Sequence, residues 1–438
     1  MARGGESPPG QAPPTFQITC LGCKVNQAEA GALAAGLLAR GWRRAEAGQS
    51  AGVSVLLTCA VTATAGRQSR QMARRLARSA EGGRVLVCGC DSQAAPQAYR
   101  REGLSVLGRA ELAGLADLLA GGGPWPGEAP LAPPDAGEFC PGWRPPQAGR
   151  TRGLLKVQDG CDAHCAYCIV PTTRGRPRSL PLEAARQGFA GLGRAGAAEV
   201  VLTGVHLGRY GADLGSPLGL VELVGGLLEA HPGPRLRLSS LEVSEVSDEV
   251  LALMAREPRL CDHLHIPLQS GSDAMLKAMG RPYDSGAYAR RVREAAQALP
   301  GACLGADVMV GLPGETEADF SQTEDLIRSL PLAYLHVFPY SPRPGTPAAA
   351  WPGRVPGPVA KARAAHLRRL AQAKRLEFLR AQAERELLAV VEASGLARTG
   401  NYCLARLDRP APAGGVLWVR LGPPCGNGED LEVQGTVI

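Results

Sequence analysis

Aromatic residues are scarce in this chain of 438 residues: Phe 6, Tyr 8 and Trp 5, or 4% in all. Cores must be aliphatic, and any base-stacking surface has few rings to draw on. Long apolar runs are missing too, and nothing approaches the roughly 18 residues that a membrane-spanning helix requires. Met1–Pro14 is rich in Pro and Gly and lacks the apolar segment of a secretory signal, so a cytoplasmic protein without a membrane anchor is expected. Neither sign of charge dominates: 48 Lys and Arg against 41 Asp and Glu leave +7, a mild excess compatible with a polyanionic partner. No Cys pair recurs at zinc-finger spacing. No convincing catalytic triad or carboxylate pair is present either, so no side chain is assigned as a catalytic residue.

What is present fits an ordinary globular protein, with 45% hydrophobic and 20% charged residues. At roughly 150 residues per domain, the length allows about three domains. The fold class is α/β, with a small all-β end. Met1–Pro14 reads as a flexible tail. Residues 15–121 read as a parallel α/β unit, with strands at Phe16–Thr19, Val53–Leu57 and Arg84–Val87 and helices at Gln27–Ala39 and Thr64–Ala80. Residues 122–148 are rich in Pro and Gly and read as a linker. Residues 149–383 form a second α/β block ending in a long helix. Its strands are expected at Leu154–Val157, Glu199–Leu202, Leu236–Leu238, His263–Ile266, Ala306–Val310 and Tyr334–Val337. Six β-α units are too few for a closed eightfold barrel, so an open, partial (β/α)6 barrel is expected, with functional groups at the C-terminal strand ends. Residues 384–438 show short β-like runs at Leu388–Val391, Tyr402–Leu404 and Val416–Val419, as in a small β-barrel.

Cysteine is the informative anomaly. There are 13, an odd number that cannot pair completely, and in a reducing cytosol they should be thiols or metal ligands. The strongest pattern is Cys161-x3-Cys165-x2-Cys168, just after the first strand of the second block. Three thiolates from one loop can hold three irons of a cubane cluster and leave the fourth iron open, whereas electron-transfer clusters are usually tied by four cysteines. An open metal position is the mark of a site that binds substrate. The alternative is half of a zinc knuckle, with His164 or another Cys as fourth ligand. Cys23, Cys59 and Cys90 fall in the first unit, each after a strand and before a helix. In a parallel sheet such ends lie side by side, so the three can converge. Alternatively, they simply fill space as small hydrophobes.

The Cys161–Cys168 spacing at the mouth of a partial β-α barrel resembles the radical S-adenosylmethionine (SAM) superfamily, and Tyr167 matches the usual aromatic there. Gly22–Gln27, Thr58–Thr62 and Gly89–Cys90 resemble the auxiliary-cluster motifs of the methylthiotransferase family. Pro267–Ser272, Val310–Thr316 and Pro339–Thr346 match its barrel motifs. The resemblance runs from about Thr15 to Ile438 and implies a cluster domain, a radical SAM barrel and a C-terminal TRAM-like β domain. Lys24–Gln27, His206–Gly208 and Leu335–Tyr340 favour the branch acting on N6-threonylcarbamoyladenosine at tRNA position 37. Leu57 stands where the family commonly has Asn, and Asp91 where an aromatic is usual. Cys20 and Cys88 are runners-up as ligands. Gly89 favours Cys90, because it lets the chain turn there.

The resemblance implies two [4Fe-4S] clusters, one on Cys161, Cys165 and Cys168 and one on Cys23, Cys59 and Cys90. It implies SAM as both methyl donor and radical source, because the C2–H bond of adenine is beyond ordinary acid–base groups. SAM contacts are expected from Thr203, Gly204, Ser239, Glu242 and Gln269 at the strand ends. The implied partners are a tRNA anticodon stem-loop, an electron donor such as flavodoxin or ferredoxin, and a sulfur source. Arg67, Arg70, Arg74 and Arg78 line one helix face, opposite Ala65, Met72 and Leu76, and Arg174, Arg176 and Arg178 follow the cluster loop; both sets are candidate RNA contacts. The late helix adds a further basic run from Lys361 to Arg380. Other readings are the same chemistry on isopentenyladenosine or on a ribosomal-protein aspartate, and an RNA-binding protein with zinc or a structural cluster.

Overall fold

The computed structural model describes residues 13–46, 48–80, 82–121, 129–146, 151–215, 218–426 and 431–438. Most of the expected tail, and residues 122–128 and 147–148 of the expected linker, lie outside them. The chain divides into two compact units: Met1–Cys140 with Thr172–Arg174, and Pro141–Pro171 with Gly175–Ile438.

The first unit is built on strands β1 (Thr15–Cys20), β2 (Arg43–Arg44), β3 (Val53–Thr58), β4 (Arg84–Gly89) and β5 (Ser105–Val106), in the order β2-β1-β3-β4-β5 and all parallel. Central β3 is buried along its whole length, which suits a Val- and Leu-rich strand covered on both faces. Helix Lys24–Ala39 covers one face through Leu33, Ala34 and Leu37. Helix Ala63–Ser79 opens on Thr62, whose hydroxyl accepts from Ala65 N at 3.0 Å. Its buried stripe is Gly66, Ser69, Ala73 and Leu76, small residues that let it lie close to the sheet, while Ala65 and Met72 are only half-buried.

In the second unit, β6 (Gly142–Arg144) lies in the expected linker, where three residues are too few to show periodicity. It pairs antiparallel with β7 (Arg152–Lys156) and covers that edge. β8 (Gln158–Asp159) and β9 (Arg178–Ser179) form a small ribbon across the cluster loop. β7, β10 (Glu199–Thr203) and β11 (Arg235–Leu238) are one parallel half, and β12 (His263–His265), β13 (Cys303–Val310) and β14 (Tyr334–Pro339) are the other. The halves meet at a Leu236–Leu260 bridge, so the six strands form an open (β/α)6 half-barrel in two sheets.

Helix Gly357–Ala381 packs along β14 and leads to the closed barrel of β15 (Glu386–Val391), β16 (Leu396–Thr399), β17 (Leu404–Leu407), β18 (Val416–Cys425) and β19 (Glu432–Val437). β16 and β19 escaped the sequence reading because their residues alternate weakly. Tyr402, expected in a strand, instead sits in a turn at φ 63°. The basic run of the long helix is divided, with Lys361, Arg368, Arg369 and Arg380 exposed and the other three turned inward. Arg363 is buried against Glu315 at 2.6 Å, Lys374 donates to Leu330 O at 2.7 Å, and Arg375 donates to Tyr402 O at 2.7 Å.

Candidate functional site

In the first unit the thiols of Cys23, Cys59 and Cys90 follow the C-terminal ends of the adjacent strands β1, β3 and β4. Cys23 is exposed and caps helix Lys24–Ala39. Gly22 is at φ 115°, and a Cβ there would lie 3.0 Å from Cys59 Cβ and 3.1 Å from its Sγ, so only glycine lets the two loops close up. Gly89 at φ 110° ends β4 and turns the chain, so that Cys90 starts a new helix while Cys88 stays in the strand, fully buried in the core with Cys140. Burial pushes the Cys88 thiol up to about 12. It pushes Cys59 up to about 11, with Cys90 and Cys23 as its neighbouring thiols. Such thiols stay protonated until a metal takes them as thiolates.

The surroundings are polar and fixed. Asn26 donates to Leu21 O and Thr58 O, both at 3.0 Å. Arg174, which belongs to this unit, is buried. Its Nε donates to Cys90 Sγ at 3.3 Å, Nη1 donates to Glu29 at 3.3 Å, and Nη2 donates to Asn26 Oδ1. The expectation that Arg174 reaches RNA is therefore corrected: its guanidinium is spent on this site. Asp91 is held by Arg70 at 2.8 Å and by the Tyr99 hydroxyl at 2.7 Å. Arg67, Arg74 and Arg78 remain exposed, with Arg74 near Glu102 at 3.4 Å.

In the second unit the Cys161–Cys168 loop leaves the C-terminal end of β7. A buried Lys156–Asp159 pair at 2.6 Å and the Gly160 N to Asp159 bond at 2.9 Å fix its start. Cys161 N donates to Gly175 O at 3.0 Å, and Ala166 N to Met279 O at 2.9 Å. The sulfurs receive charged or backbone donors: Val170 N on Cys168 at 3.5 Å, Arg281 on Cys165 at 3.3 Å, and Ala163 N on Cys161 at 3.4 Å. Burial pushes Cys168 up to about 12, with Cys165 and Cys161 beside it. Burial alone would disfavour the His206 imidazolium, but Cys161 and Glu245 outweigh it and push His206 up to about 10. A single zinc ion would need sulfurs about 3.8 Å apart. Among the described residues, the three groups whose ligand atoms all lie within 4.8 Å are His265, Asp307 and His336, and neither thiol trio is drawn in so tightly. Three thiols with a fourth position left open are the donor set of a substrate-binding cubane cluster.

The expected SAM contacts ring the same strand ends. Thr203 is buried at the end of β10, and Gly204 lies against Gln158, where a Cβ would come within 2.9 Å of that side chain. Ser239 Oγ is buried without a hydrogen-bond partner among the described residues, a polar atom left for a ligand. Glu242 is ion-paired with Arg281. Gln269 sits at φ 66°, and its backbone bridges to Val308. Arg281, which links Glu242 to Cys165, was missed from sequence because nothing in its spacing from the cysteines marks it. Arg176 is exposed and Arg178 half-buried in β9.

Fold and thiol loop define a radical SAM enzyme, and residues 155–327 match the radical SAM superfamily. Residues 15–107 match UPF0004, an uncharacterized protein family. The chain is 37% identical to the threonylcarbamoyladenosine tRNA methylthiotransferase MtaB of Thermotoga maritima over 78% of each chain. It is 36% identical to MtaB of Bacillus subtilis over 86% of this chain and 84% of that one. A tRNA-2-methylthio-N(6)-dimethylallyladenosine synthase of Chlorobium luteolum is 33% identical over 76% of each. Among solved structures, the radical SAM methyltransferase TsrM of Kitasatospora setae shares the fold, with a TM-score of 0.56 at 15% identity over 77% of each chain. The chain belongs to the threonylcarbamoyladenosine tRNA methylthiotransferase family, whose enzymes use SAM and [4Fe-4S] clusters. No helix among the described residues is long and apolar enough to cross a membrane.

Proposed function

We propose that the protein adds a methylthio group to C2 of N6-threonylcarbamoyladenosine at position 37 of tRNA. The observation that carries this reading is the pair of thiol trios, each at the C-terminal ends of parallel strands, in a chain so similar to MtaB proteins. When bound, the clusters supply the electron that cleaves SAM to a carbon radical and the sulfur that is transferred, with SAM also the methyl source. Cys161, Cys165 and Cys168 hold the first cluster, and Cys23, Cys59 and Cys90 the second. The Lys156–Asp159 pair sets the loop. Arg281 ties Cys165 to Glu242, so the carboxylate offered to the SAM ribose is positioned by the same side chain that faces the cluster. Ser239 Oγ and the main chain at Thr203–Gly204 complete the cradle. The partners are a tRNA anticodon stem-loop, a low-potential donor of the flavodoxin or ferredoxin kind, and a sulfur source.

Mass spectrometry of tRNA nucleosides from cells with and without the protein tests the reading. The 2-methylthio derivative of threonylcarbamoyladenosine should vanish with the protein; loss of the dimethylallyl derivative instead would reassign the substrate. Anaerobic reconstitution should give about eight irons per chain, four for each cubane cluster. Cys161→Ala should abolish deoxyadenosine formation. Cys59→Ala should spare it and stop sulfur transfer, and full modification by that variant would remove the auxiliary site from the argument.

A further inference from the structure

On β13 and β14 the side chains alternate cleanly. Leu304, Ala306, Val308 and Val310 are buried on one face, with Leu335 and Val337 of β14. The other face carries Asp307 and Met309 of β13 and Tyr334, His336 and Phe338 of β14. This second face runs up to the cluster loop, where Met309 and Tyr167 both pack against the buried group of Ala166, Met275, Met279, Leu312 and Ala348.

That face is open where an enzyme core is normally closed. The His336 side chain is 56% exposed and Phe338 44%, and Phe338 lies across from Met309 in the β13–β14 register. Their rings meet edge-on with centroids 6.3 Å apart. Asp307 bonds His265 Nε2 at 3.0 Å and His336 Nδ1 at 3.2 Å. The other nitrogen of His265 meets the Tyr334 hydroxyl at 2.8 Å, so both of its ring nitrogens are occupied. His336 has one hydrogen-bond partner among the described residues, Asp307, and its Nε2 is left for something else.

We infer that this face is the pocket for the N6 substituent of the target adenosine, with Phe338 as the stacking platform and His336 as the group that selects an amino-acid carboxylate. The inference rests on the tRNA reading above and names the determinant of its substrate choice. A purine has a flat face for the Phe338 ring. C2 and N6 lie at the two ends of the pairing edge of adenine. A base that turns C2 toward the cluster-loop end of the strands therefore carries its N6 substituent down the strands, past His336. The threonylcarbamoyl group ends in a carboxylate. His336, held by Asp307 through Nδ1, bridges the two carboxylates by turning Nε2 to that of the substrate. A dimethylallyl group has no polar atom and would leave Nε2 unpaired, the arrangement by which a polar pocket rejects an apolar analogue.

The experiment uses the reconstituted enzyme with tRNAs carrying threonylcarbamoyl-, dimethylallyl- or unmodified adenosine at position 37. For His336→Leu, kcat/KM on the threonylcarbamoyl substrate should fall about 10- to 100-fold, as expected for losing a charged hydrogen bond. Its preference over the dimethylallyl substrate should collapse by the same factor, with iron content and tRNA-independent SAM cleavage unchanged. His336→Gln, which keeps a donor, should retain part of the preference. An unchanged preference in His336→Leu would overturn the inference while leaving the proposed function standing. Wild-type enzyme inert on threonylcarbamoyl tRNA would remove both. Zinc bound stoichiometrically by wild type and lost in Asp307→Asn would assign the triad to a metal and also overturn it.

Discussion

Glu199 is fully buried at the start of β10 and receives Arg235 and Arg237, each at 2.7 Å, with Arg152 at 3.6 Å. Burial alone would raise its carboxyl, but the guanidiniums of Arg237 and Arg235 hold it well below the usual carboxylate range. Removing its charge strands two buried cations, so Glu199→Gln should lose about 3–5 kcal/mol in denaturant unfolding. The pH dependence has a definite sign. A depressed folded value contributes stability that is present above the unfolded value, near 4.3, and is lost as pH falls below it. Wild type should therefore weaken steeply in acid below about pH 4, and Glu199→Gln more gently. A matching acid limb in both proteins would contradict this account. At this scale the two thiol groups stand out in the sequence through their spacing and the chain turns beside them. The contacts of Arg281, Arg174 and Glu199 do not, since each acts on residues at least 36 positions away, as Glu199 does on Arg235.

Among the elements, the β4-to-helix turn depends on one residue. A Cβ on Gly89 would lie 2.6 Å from Thr58 N and 2.7 Å from Thr58 O, at a φ that side chains avoid. Gly89→Ala should shift Cys90 out of place. Reconstituted iron should then fall from about eight to about four per chain, with SAM cleavage retained. Retention of all eight would show that the turn does not set the ligand. Strands rich in Val and Leu, such as β3 and β10, could be read from sequence to within a residue or so. β6 could not, because a three-residue edge strand exists only through its partner β7. β16, Leu-Ala-Arg-Thr, has no run of apolar residues to announce it.

For the molecule as a whole, many of the cations that the sequence displays do not reach the surface freely. Arg70, Arg174, Arg363, Lys374 and Arg375 are consumed internally, while Arg67 and Arg78 stay exposed on one helix. Replacing Arg67 and Arg78 by Gln should weaken tRNA binding uniformly and lower the salt slope of log K by about 1.5. An unchanged slope would mark that helix face as merely solvated. Charge counting cannot separate these classes, because burial is decided by acids and carbonyls remote in sequence.

Arg235 donates to Leu388 O and Arg398 O, and Arg237 to Thr399 O and Gly400 O, so the half-barrel grips its terminal β-barrel by main-chain carbonyls. Every residue type carries that acceptor. Those four bonds are therefore indifferent to the side chains at the accepting positions, whereas Tyr402, under Arg237 at 4.2 Å, and Asn401, donating to Gly301 O at 3.0 Å, fasten the same seam by side chain; the outward surface of the barrel is free to drift toward new ligands while these few residues persist.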